Sequence, residues 1–239
     1  MGALGIFKHI VERQTEALSE LLEKKKERVD STIPLGIKIN SMVKIDETKF
    51  ILNEGKLKVQ SPGAGTHTVV AAGKYTIGPI SNYKVYMQSA MDRNDESIIQ
   101  IAVENTEIIS LTYYRVVDEV FPASEDEWGT WLNYDTGLIG YKDFIIDGEL
   151  EYRRTIGSTQ QDYVDPIHFT ETVVMDPYGM TGMKVESRSM RYAREVDKDM
   201  QEYVVVTMEK VKNEFGTVKE AGVTIMAGID LVEPELEIS

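Results

Sequence analysis

The chain has 239 residues, a net charge of −14 and no cysteine. That length holds one large or two small domains and buries roughly 70% of the unfolded surface, so a core needs no covalent staples. The lack of cysteine removes disulfides, thiolate metal sites and a cysteine nucleophile, and the acidity opposes nonspecific nucleic-acid binding because phosphates repel it.

Residues 3–29 predict a helix, with Ile6, Phe7, Ile10, Val11, Ala17, Leu18, Leu21 and Leu22 at the three-to-four spacing of one apolar stripe. Glu12, Glu16, Glu20 and Glu23 face Lys8, Lys24 and Lys26 on the other side. Covering such a stripe is worth on the order of 1.5–3 kcal/mol per large side chain, so it is expected to dock. Leu4, Ile6, Phe7, Ile10, Leu18 and Leu21 are the candidate partner-binding residues. The surface they meet is the protein's own sheet, a second copy, a partner helix, or a membrane face into which Leu4, Ile6, Phe7 and Ile10 dip. No apolar run approaches the ~20 residues of a membrane span.

Beyond Pro34 the period changes to two. Ile37, Ile39, Val43 and Ile45 predict a half-buried strand, and Phe50–Leu52 with Leu57 and Val59 predict a hairpin turning at Asn53–Gly55. Strands follow over Val69–Ile77, Tyr83–Met91, Ser97–Glu104 and Ile108–Val117. Pro122–Tyr134 predicts a short helix, with Ser124 and Glu127 as a capping box and Trp128 and Trp131 on one face. After Gly137 the strand pattern returns over Tyr141–Ile146, Leu150–Ile156, His168–Met175, Met183–Arg194 and Glu202–Lys210, with Gly222–Val232 as a closing strand and Glu233–Ser239 as a loose acidic end.

The halves echo each other. Val85–Glu104 resembles Ser189–Glu209, and Thr68–Gly78 sits over Thr172–Gly182. The expected fold is therefore mainly antiparallel β (α+β): a helix over 1–30, a β unit over 34–120, a linking helix over 121–136, a related β unit over 137–232 and a tail over 233–239.

Motifs for chemistry are sparse. Asp92, Asn94 and Glu96 begin like a calcium loop, but Ser97 and Val103 stand where its glycine and bidentate glutamate belong. His9, His67 and His168 lie far apart, and His168 reads as a packed strand histidine. Gly63-Ala64-Gly65 lacks the length and lysine of a phosphate loop. No metal or cofactor is expected. Arg153, Arg154, Arg188, Arg191 and Arg194 form either a cationic patch or cross-strand pairs with Glu149, Glu151, Glu186 and Glu195. Trp128, Trp131, Arg191 and Arg194 are the candidate ligand contacts.

Ile33–Ser41, the tryptophan helix running into Gly137–Tyr141, and Met190–Arg194 with the strand Tyr203–Met208 carry a resemblance. Together they are similar to the YjfK-like bacterial family of unknown function, from about Ile33 to Val232. The resemblance implies no catalytic residue. It implies a context beside a PspA-like membrane-remodelling protein, a small membrane protein and polyamine-type enzymes. The expected protein is a non-enzymatic, cytoplasmic accessory of an envelope-associated system, peripheral at the inner membrane if its helix dips, docking a protein partner or a second copy of itself. The alternative is a binder of, or enzyme acting on, a small cationic ligand such as a polyamine, with an indole face for the cation.

Overall fold

The computed structural model describes residues 27–90, 96–132, 137–158, 160–212 and 217–239. The helix expected over residues 3–29 falls almost wholly outside them. Val29–Thr32 and Pro34–Gly36 are short 3-10 turns. They are held by the buried Asp30 carboxylate, which accepts from the Arg28 guanidinium at 2.9 Å and from the Ile39 amide at 2.8 Å.

The period-two segments become strands wherever a neighbour can complete their hydrogen bonds. Four of them, β2 (His67–Ile77), β3 (Ile80–Ser89), β4 (Glu96–Glu104) and β5 (Glu107–Val120), run up and down in sequence order. Four more, β8 (Ile167–Val174), β9 (Gly182–Asp197), β10 (Met200–Lys212) and β11 (Val218–Asp230), do the same. Antiparallel pairing of β5 with β11 and of β8 with β2 closes these two meanders into an eight-stranded barrel. A barrel of that size has an interior just wide enough for side chains or for one small ligand.

Two ribbons hang from the barrel. Strand β1 (Met42–Ile45) pairs with the start of β2, and β12 (Leu236–Ile238) pairs with β1. On the other side β6 (Asp143–Ile146) and β7 (Leu150–Arg154) join β9 through Arg153 and Arg154. Side chains on either face of the barrel wall therefore meet different cores. Outward-facing Val85, Met87, Ile99, Tyr113, Val204 and Ile229 pack under the ribbons and the segment from Ile33 to Val59. Inward-facing Tyr86, Ile98, Tyr114, Val205 and Met226 form a second cluster. Burial on both faces explains the unbroken buried run Glu202–Glu209 in β10.

Several expectations need correction. Thr48–Leu52 is a one-turn helix, α1, whose Thr48 amide donates to the Asp46 carboxylate at 2.8 Å, and no hairpin forms over Phe50–Val59. Its reason is Phe50, which packs edge-on against Tyr113 at 5.5 Å while Ile51 and Leu52 stay exposed. Ile37 and Ile39 are buried in alternation, but only Met42–Ile45 finds a strand partner. The tail is not loose: it forms a 3-10 turn at Glu233–Glu235 and then β12, whose Ser239 amide and carbonyl both bond Met42. The second helix, α2, spans Glu125–Leu132; the Glu127 amide donates to Ser124, and the Glu127 carboxylate accepts from the Ala123 amide.

The two meanders share strand order but not register. Met87 pairs with Ser97, whereas Met190 pairs with Val206, so the second hairpin reaches three residues further along each strand.

Candidate functional site

The barrel interior is stratified. At one end Val173, Met183, Val185 and Val211 fill it with apolar side chains. At mid-height lies a charged layer. The Lys84 ammonium of β3 donates to Glu171 of β8 at 2.8 Å, and the Tyr86 hydroxyl donates to the other Glu171 oxygen at 2.6 Å. Glu171 finds room because Gly73 of β2 has no side chain: a Cβ there would lie 1.7 Å from the carboxylate oxygen. Tyr75 and Phe169 stack at 4.0 Å, and the ammonium lies 5.5 Å and 5.7 Å from their ring centroids. Burial opposes the charge on Lys84, but Glu171, with Tyr75 and Glu209, outweighs it and raises the ammonium pKa.

Glu209 of β10 completes this layer and accepts from the Thr224 hydroxyl at 3.2 Å. Burial pushes its carboxyl up to about 7; Lys84 pulls it down and Glu171 pushes it up again. A carboxyl whose folded pKa lies above its unfolded value stabilises the fold fully below the unfolded pKa. That contribution fades as pH rises through the folded one. Wild-type stability is therefore expected to fall between pH 5 and 8, by at most on the order of 3 kcal/mol from this group. Urea unfolding of Glu209→Gln at both pH values should show a clearly smaller fall; an identical pH dependence would remove the assignment.

The other end is open. A hollow of about 510 Å³ is lined by Tyr75, Tyr114, Phe169 and Tyr203, with Ala102 and Ser189 on its walls. Arg191 of β9 and Asp230 of β11 reach the same hollow. The Arg191 guanidinium lies 4.6 Å from the Tyr203 ring centroid, and its Nε donates to the Thr155 hydroxyl at 3.3 Å. Asp230 accepts from the Tyr203 hydroxyl at 2.7 Å and from Thr112 at 2.8 Å. Among the described residues, neither Arg191 nor Asp230 has an ion-pair partner. Burial, then the Asp230 carboxylate, pushes the Tyr203 hydroxyl up to about 12, so it stays a donor.

The five strand arginines do not converge. Arg191 points into the barrel. Arg194 points outward, to Glu202 at 2.6 Å, since residues three apart on a strand face opposite ways. Arg154 donates to five backbone carbonyls, those of Gly140, Ile156, Ser158, Gln161 and Asp162. Arg153 lies near Asp143 and Glu151, and Arg188 lines a separate shallow hollow with His168. None of the expected cross-strand pairs is present among the described residues: Glu151, 3.9 Å from Arg153, lies on the same strand, and Glu186 binds Lys212. Among the histidines, His67 is the packed one, bonded to the Pro62 carbonyl at 3.0 Å, and His168 is exposed.

Trp128 and Trp131 are partly buried against the outer core. Trp131 also lines an outer hollow of about 490 Å³ with Tyr141, Phe144, Asp118, Asp143 and Asp147. Those carboxylates are engaged: Asp147 with Lys58, Asp143 with Arg153, Asp118 with the Glu119 amide. The stripe residues Leu4, Ile6, Phe7, Ile10, Leu18 and Leu21 lie outside the described residues, as do Asp92 and Asn94.

Lys84, Glu171, Glu209 and Asp230 were not singled out in the sequence. Their signal is a lone charge inside an otherwise buried strand, as Lys84 is within Tyr83–Met87. Among the described residues, no group of three or more His, Asp or Glu is placed to hold a metal ion, and no helix is long and apolar enough to cross a membrane. No curated protein and no solved structure matches the chain. A family model described as a protein of unknown function, DUF2491, matches residues 13–237, and the chain belongs to that family.

Proposed function

We propose that this protein is a non-enzymatic binding protein that holds a small organic molecule in the open end of its barrel. One observation carries the reading: a closed barrel is filled by apolar side chains at one end and left open at the other, around four aromatic rings and two charges that have no ion-pair partner among the described residues. Ligand sites are typically concave, mostly apolar and equipped with a few placed polar groups, and this mouth has that composition. The charged layer beneath it is already satisfied by its own members, which favours a rigid floor over a reacting group.

Ala102 offers a direct test, because its small side chain lies on the mouth wall. Ligand-observed NMR with a panel of aromatic acids, amines, amides and amino acids should find members that bind the wild type at millimolar concentration. Ala102→Trp, accepted only if its unfolding midpoint stays near wild type, should lose them. An unchanged set of binders, or none for the wild type, removes the mouth as the seat.

We also read the two meanders as copies of one repeated unit. Support comes from their common strand order and from Met87 and Met190, each buried on the outer face of a β-hairpin. A backbone superposition of 67–120 on 167–230 that brings Met87 onto a strand other than the one bearing Met190 would end that reading.

A further inference from the structure

Resting on the mouth as the seat, we infer that its ligand is a zwitterion, specifically an α-amino acid with an apolar or aromatic side chain. The argument begins with the two charges. Arg191 and Asp230 sit on β9 and β11, with β10 and its Tyr203 between them. The guanidinium lies over the Tyr203 ring, and the carboxylate receives the Tyr203 hydroxyl. One tyrosine side chain thus spaces a cation from an anion and keeps them from pairing with each other.

Neither side-chain charge has an ion-pair partner among the described residues; the Lys49 ammonium beside Asp230 bonds its backbone carbonyl at 3.0 Å and is itself paired with Glu235. Arg191 donates to Thr155 and interacts with Tyr114; Asp230 accepts from Thr112 and Tyr203. A guanidinium carries five N–H donors and a carboxylate about four lone-pair sites, so both keep capacity toward the hollow. Arg191 is half-buried and Asp230 exposed, and each gains from an opposite charge that also excludes water, since charge-assisted hydrogen bonds are roughly twice as strong as neutral ones.

A purely anionic ligand would satisfy Arg191 and meet Asp230 as a like charge. A purely cationic one would do the reverse. A molecule with an ammonium and a carboxylate on one carbon answers both, and a hydrogen bond at each end lets it bridge a tyrosine ring. Its side chain then falls among Tyr75, Tyr114 and Phe169, where an aromatic group gains by stacking. With Lys84 matched by Glu171, the floor adds no net charge as long as the Glu209 carboxyl, pushed up to about 7, holds its proton.

Three probes sharing one ring separate the possibilities: L-phenylalanine, 3-phenylpropionate without the amine, and phenethylamine without the carboxylate. Calorimetry or chemical-shift titration of the full chain should give L-phenylalanine at least about ten-fold tighter binding than either analogue, the size of one charge-assisted contact. Arg191→Gln should remove that advantage and leave phenethylamine bound at least as tightly, because a like charge is gone. Asp230→Asn, which keeps one acceptor for Tyr203 or Thr112, should remove it and leave 3-phenylpropionate bound at least as tightly, because a like charge is gone. Equal affinities, a preference for either singly charged probe, or no binding of L-phenylalanine overturns the zwitterion. If a singly charged probe binds and Ala102→Trp abolishes it, the seat survives and only the ligand class falls. If Ala102→Trp changes no affinity, the mouth itself is wrong.

Discussion

Lys84→Met is expected to destabilise the protein by on the order of 3–5 kcal/mol at pH 8, as breaking one side of a buried ion pair does. For a chain of this size that lowers the unfolding midpoint by roughly 6–20 °C. The substitution keeps the volume of the side chain and removes the only cation of the interior layer. Among the described residues, Glu171 and Glu209 then share that low-dielectric layer with no positive charge in it, and Tyr86 is the one hydrogen-bond partner left on Glu171. The Glu209 carboxyl, already raised by burial and now without the pull of Lys84, would bind its proton still more readily in the folded than in the unfolded state. Stability held in that way is present below the unfolded pKa and lost as pH rises, so the defect should shrink at pH 5. The double variant Lys84→Met, Glu171→Leu should recover most of the loss, because replacing a whole buried pair by apolar groups is often neutral. Urea unfolding at the two pH values decides the matter. A single variant within about 1 kcal/mol of wild type at pH 8 would mean that Lys84 and Glu171 interact too weakly to organise the barrel.

That layer also shows where the sequence was legible and where it was not. Strand positions came through well, since β2, β4, β8 and β10 lie close to the segments their period-two pattern marks. Closure did not, because it rests on two pairings between residues far apart in the chain, β5 with β11 and β8 with β2. Local alternation carries no information about which edges meet. One clue was present: the run from Tyr203 to Met208 has no polar face to offer water, as expected for a strand covered on both sides. Parity held a second clue. Arg191 and Arg194 differ by three positions and so had to face opposite ways, one into the mouth and one beneath the outer layer. The segment from Phe50 to Val59 misled for a different reason. It has strand-like spacing, but its backbone finds a carboxylate instead of a neighbouring strand.

That carboxylate is Glu202, and Glu202→Ala should be the most damaging change outside the barrel interior. Its side chain is fully buried beneath the outer layer. One oxygen accepts the backbone amides of Lys58 at 2.6 Å and Val59 at 2.7 Å. The other accepts the Tyr152 hydroxyl at 2.8 Å and the Arg194 guanidinium at 2.6 Å. Four donors from three separate segments therefore converge on one group, which fastens both the 56–59 stretch and strand β7 to the barrel wall. Removing it takes the counter-charge from a guanidinium that keeps only the neutral Lys56 carbonyl and the Tyr152 ring, and takes the acceptor from the Tyr152 hydroxyl and two amides, at a cost of several kcal/mol, on the order of 3–5 for the ion pair alone. Glu202→Gln keeps an acceptor oxygen for the two amides but leaves Arg194 uncompensated, so its loss should be intermediate. Hydrogen exchange gives the specific readout. In Glu202→Ala the Lys58 and Val59 amides should lose protection by far more than the amides of β3 and β4. If those two amides exchange as slowly as in the wild type, Glu202 does not hold the segment, and its burial is only a consequence of the packing around it.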